Sequence, residues 1–117
     1  MRVVQMVEGA MVAPYILDVG TNCLEIAGVV VDLAAAEADS QTILNITNDA
    51  GTPVLGLGGK NGYIADIEVP PRRYERVEEE DADGILITKS IAIPFDVNAV
   101  VLKLWPYPAE GTIKKEE

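Results

Sequence analysis

The densest concentration of potentially reactive side chains lies in RRYERVEEEDADG, Arg72 to Gly84, which turns from basic to acidic within a dozen residues. Calcium loops set oxygen ligands at alternate positions around a glycine and close the shell with a bidentate Glu at the twelfth position. Glu79, Asp81, Asp83 and Gly84 align with the first, third, fifth and sixth positions of such a loop. Ser90 then stands at the twelfth position and Ile87 at the ninth. Neither closes the shell, and the residues after Gly84 read as a strand where a helix should begin. No metal ligand is therefore assigned, although weak cation holding by Glu79, Asp81 and Asp83 stays open. The simpler reading is a solvated connector. Four consecutive acids, Glu78 to Asp81, repel one another and guard the apolar run GILITKSIAI against aggregation.

Other chemistry is scarcer. The chain has no His, which removes Ser–His and Cys–His nucleophiles and His-based metal centres. Asp66 and Glu68 are the candidate carboxylate pair for a hydrolase. They alternate on the polar face of one strand, the ordinary place for solvated charge. GLGGKNG, Gly56 to Gly62, has Val54 and Asn61 where a phosphate-binding loop needs Gly and Ser/Thr. A strand follows it, so no helix N-terminus meets a phosphate. It is expected to be a flexible turn whose glycines admit another backbone. Cys23, the only cysteine, alternates with apolar neighbours and is expected to be a buried, inert thiol. No catalytic or cofactor-binding residue is assigned, and the chain is not expected to be an enzyme.

The whole composition narrows the class further. Of 117 residues, 49% are hydrophobic and 24% charged, as in ordinary globular domains. Net charge is −10 with nine Lys and Arg, too few cations for neutralising nucleic-acid phosphates or an anionic membrane. No secretory signal and no membrane-length apolar run is visible. The chain is expected to be a soluble protein made in a reducing compartment.

The elements that must position these side chains are strands. YIADIEV alternates, with Tyr63, Ala65, Ile67 and Val69 on one face and Ile64, Asp66 and Glu68 on the other. Asn61-Gly62 before it signals a tight hairpin. ILITKSIAIPF puts Ile85, Ile87, Ile91, Ile93 and Phe95 on one face, interrupted by Lys89. Pro94 places this strand at an edge or ends it. In NAVVLKLWPYP, Val100, Leu102 and Leu104 oppose Val101, Lys103 and Trp105. DLAAAEADS offers the one plausible helical turn. About seven to eight short strands with little helix predict an all-β fold, an antiparallel β-sandwich or jelly-roll-like barrel. Residues 1–108 are expected to form a single β domain and 109–117 a polar tail.

Arg and Tyr are favoured at protein interfaces, so Arg72, Arg73, Tyr74, Arg76 and Trp105 are the candidate contact residues. In strand texture, QTILNITNDAGTPVLGLGGKNGYIADIEV and SIAIPFDVNAVVLKLWPYP resemble the small β-sandwich accessory proteins of tailed-phage virions, the decoration (cement) and head–tail or tail-associated proteins. The resemblance implies a structural protein that forms symmetric homo-oligomers and stabilises a particle by contact with itself and a major capsid or tail protein. It also implies location in the virion after assembly in the host cytoplasm. A carbohydrate-binding module or a calcium-dependent adhesion module is the alternative reading.

Overall fold

The computed structural model describes residues 1–59 and 62–107. Lys60 and Asn61 of the expected hairpin turn and the 109–117 tail lie outside these residues. Ten strands are present among the described residues: β1 (Arg2–Gln5), β2 (Tyr15–Asp18), β3 (Cys23–Ile26), β4 (Val29–Asp32), β5 (Thr42–Asp49), β6 (Thr52–Leu55), β7 (Tyr63–Val69), β8 (Tyr74–Glu80), β9 (Leu86–Ala92) and β10 (Val101–Leu104). The all-β expectation holds. The helical turn falls where the sequence places it, as α1 (Leu33–Ala36), with the Asp32 side chain accepting from Ala35 N at 3.1 Å. None of the described helices is long and apolar enough to cross a membrane.

The strands form a five-stranded sheet in the order β1-β10-β7-β5-β6, a three-stranded sheet β2-β3-β4, and a separate two-stranded ribbon β8-β9. Every neighbouring pair is antiparallel except β1 and β10, so the five-stranded sheet is mixed. Cross-strand rows run Leu102–Ile67–Leu44 and Leu104–Ala65–Ile46. Their buried members join Leu24, Ile26, Val31 and Leu33 of the smaller sheet and α1 in one apolar cluster. Burying a Leu or Ile side chain stabilises by about 1.5–3 kcal/mol. The two sheets therefore hold each other through a core made mainly of aliphatic residues.

Local chemistry explains the turns. Ala27-Gly28 joins β3 to β4 with φ of 50° and 87°, and Ala50-Gly51 joins β5 to β6 with φ of 54° and 91°. Two successive positive-φ residues make the two-residue hairpin turn whose twist matches the flanking strands. In β7 the alternation read from sequence breaks at its start. The register shifts between Ala65, opposite Ile46, and Tyr63, opposite Thr47. Ile64 is the extra residue; it enters the core while Tyr63 is exposed.

The glycine-rich loop is not a loose turn at Gly59. A Cβ there would stand 2.5 Å from Thr47 Oγ1 and 2.7 Å from the backbone carbonyl carbon and oxygen of Asn48. The missing side chain lets the loop lie flat on β5 of its own chain. Gly59 N donates to the buried Thr47 hydroxyl at 2.8 Å, and that hydroxyl donates to Gly56 O at 2.8 Å. Gly59→Ala should cost about 1–3 kcal/mol, the range for overpacking a close contact, and lower the melting temperature by several degrees. At Gly58 a Cβ meets nothing within 4 Å, so Gly58→Ala should melt near the wild type. Equal melting of the two variants in a thermal scan would remove this account of the loop.

Candidate docking arm

The acidic segment read as a connector is itself a strand. Tyr74 to Glu80 pairs along its whole length with Leu86 to Ala92, in the register Tyr74↔Ala92 through Glu80↔Leu86. The turn between them is built by Asp81. Its Oδ1 accepts the N–H groups of Asp83 at 2.8 Å and Ile85 at 2.9 Å, and its backbone N donates to Ile85 O at 2.9 Å. Gly84, at φ 79°, completes the reversal. From Arg73 to Asp81 the ribbon reaches roughly 27 Å at the usual strand rise. The molecule measures 76 × 26 × 23 Å. All seven residues of β9 are exposed, and in β8 only Val77 and Glu79 are half-buried. This is an arm, standing off the body.

A polar clamp holds its base. β7 ends at buried Val69, and Pro70-Pro71 leads the chain to Arg72. Arg72 N donates to Ala38 O at 2.7 Å. Its guanidinium reaches Asp39 Oδ1 at 2.8 Å and Glu37 O at 3.1 Å, with Nε 3.6 Å from Glu37 Oε1. The Tyr74 hydroxyl donates to the same Asp39 oxygen at 2.6 Å. That hydrogen bond, with Arg72 beside it, holds the Asp39 carboxyl below its ordinary value. Arg73 accepts the Ile93 N–H at its carbonyl, 2.8 Å, and its guanidinium lies 4.0 Å from Asp96. Among the described residues, no other hydrogen bond or ion pair ties β8 or β9 to the body.

The five candidate contact residues thus separate by role. Arg72 and Tyr74 fasten the arm to its own body, with Arg73 beside them. Arg76 stands out on β8 without a partner among the described residues. Trp105 lies on the body, on the outer face of the five-stranded sheet, with its ring centroid 6.1 Å from that of Tyr63. Its Nε1 donates to Asp66 Oδ2 at 2.9 Å, and Asn45 Nδ2 donates to Asp66 Oδ1 at 2.6 Å. Glu68 meets Lys103 Nζ at 2.6 Å. The carboxylates read as solvated charge are instead half-buried and each has a partner. Asp39 and Asn45 carried no signal in the sequence, because each is defined by a residue more than twenty positions away.

The acids of the calcium-loop alignment also have internal uses. Glu79 pairs with Lys89 Nζ at 3.0 Å across the ribbon, and Asp81 closes the turn. Among the described residues, no group of three or more His, Cys, Asp or Glu could hold a metal ion. Cys23 is half-buried rather than buried, on the β3 row between Asp18 and Asp32.

The arm's two faces differ. Cross-strand partners share a face, so Val77, Ile85, Ile87 and Ile91 lie on one, with Glu75, Glu79 and Lys89 around them. The other carries Tyr74, Arg76, Glu78, Glu80, Leu86, Thr88, Ser90 and Ala92. Ile85 is 59% and Ile91 44% exposed. No known protein family, curated protein or solved structure matches the chain.

Tyr74→Phe removes the shorter of the two hydrogen bonds on Asp39. The Asp39 titration, followed by side-chain carboxyl NMR, should move up toward the ordinary Asp value. Because the folded value is depressed, the clamp is complete above the ordinary Asp pKa and is lost as pH falls through the lower folded value. The Arg72 amide should exchange faster in the variant, while the body melts as before. An unmoved Asp39 titration would show that Tyr74 does not hold the clamp.

Proposed function

We propose that this chain is a non-enzymatic assembly protein of the virion accessory type, a decoration or cement subunit that stabilises a particle by repeated contacts, and that the arm makes those contacts. One observation carries the reading: the chain holds a stripe of isoleucines on a ribbon that the body does not cover. A lone two-stranded ribbon is marginally stable in water, and exposed apolar stripes rimmed by charge mark interaction sites. Here the arm is nevertheless fastened at its base by Arg72, Tyr74 and Asp39, which aims it at a neighbour. Symmetry multiplies a modest contact of this kind around a closed assembly. Trp105 and Tyr63, on the outer sheet face of the body, supply a second surface of the composition favoured at interfaces.

Density-gradient fractionation of a lysate from the natural producer tests the reading. The chain should sediment with large particles at a fixed ratio to their major protein. A full-length variant with Ile85, Ile87 and Ile91 changed to Thr keeps strand propensity but loses the apolar stripe, and should shift to the free fraction. Recovery of both proteins only as free chains would reject the proposal.

A further inference from the structure

The ribbon has two edges, and they are unequal. Ile93 N and Ile85 O both bond to the β8 side, and backbone direction alternates along a strand. The odd-numbered residues of β9 therefore point their backbone groups at β8, and Leu86, Thr88, Ser90 and Ala92 point theirs outward. On β8 the outward groups belong to Tyr74, Arg76, Glu78 and Glu80. Charge distinguishes the edges. β8 (YERVEEE) carries Glu75, Glu78, Glu79 and Glu80, the charged blocking that keeps an edge from pairing. β9 (LITKSIA) carries Lys89 alone, already paired with Glu79. Its remaining residues are apolar or small hydroxyl types, with Ile and Thr favoured in strands.

We infer that the open β9 edge pairs antiparallel with β9 of a second copy of this chain, joining two arms into one four-stranded sheet with β9 strands at the centre and the acidic β8 strands outside. This rests on the assembly reading and names the arm's partner. Charge selects the arrangement. Pairing through β9 keeps the two rows of glutamates apart with two strands between them, whereas pairing through β8 would set them side by side. It also brings Ile85, Ile87 and Ile91 of both copies together on one face, the apolar face that a ribbon needs to become stable. Register follows from Lys89. A two-fold axis at Lys89 would oppose two like charges. An axis at Thr88 sets Thr88 against Thr88 in a hydrogen-bonded pair, Ile85 against the second copy's Ile91, and Lys89 against the second copy's Ile87.

Analytical ultracentrifugation of the full chain should show reversible dimers across the micromolar range. Thr88→Pro removes only an outward N–H, so the chain's own ladder persists, with circular dichroism as the check. The two-fold repeats the loss, so the dimer dissociation constant should rise by at least about tenfold. In a Cys23→Ser background, Thr88→Cys should oxidise to a covalent dimer more readily than Lys89→Cys. A monomeric wild type, an unchanged dissociation constant in Thr88→Pro, or preferential linking at Lys89→Cys would each overturn the inference. The outcome is separable from that of the assembly reading. Thr88→Pro chains whose dissociation constant is unchanged but that still sediment with particles would remove the β9 pairing and leave the assembly reading standing.

Discussion

Burial of β7 between β10 and β5 is the constraint on which the rest of the molecule depends. Ile64, Ala65, Ile67 and Val69 are fully enclosed, and each side of the strand is paired. One neighbour, β10, carries Leu102 and Leu104; the other, β5, carries Leu44 and Ile46. The three-stranded sheet closes over that inner face. On the outer face the same strand presents Asp66 to Asn45 and Trp105, and Glu68 to Lys103. At its end, Val69 is locked in the core two residues before the next segment must leave the body. The arm therefore starts from a rigid point, and the clamp has only to set its direction.

Much of the body was legible because its physics is local. Alternation located β7, and DLAAAEADS marked the helical turn α1. The break at Ile64 was hidden, since YIADIEV alternates without interruption and the extra residue shows only in its pairing with β5. Gly59 shows the same limit. A glycine cluster reads as flexible until the partner backbone, Asn48, is known, and then one of its glycines becomes a close-packed contact.

The arm was half legible. GILITKSIAI is strand-like by composition, and β9 lies within it. What four glutamates in YERVEEE concealed was pairing, because charge repulsion argues against burial but does not prevent a ladder whose both faces meet water. Tyr74 and Arg72 were singled out for interface chemistry, and they do make a specific polar contact. Their partner is Asp39 of the same chain.

The parallel pairing of β1 with β10 has a consequence in the order of events. Among the described residues, Arg2–Gln5 finds its one ladder partner in Val101–Leu104, almost the whole described chain away. β1 therefore cannot complete this ladder until β10 has been made. Contacts of such long sequence separation are slow to close. Docking β1 on β10 closes a long loop, at an entropic cost that grows with loop length, so this edge of the five-stranded sheet is the one whose pairing costs the most chain freedom.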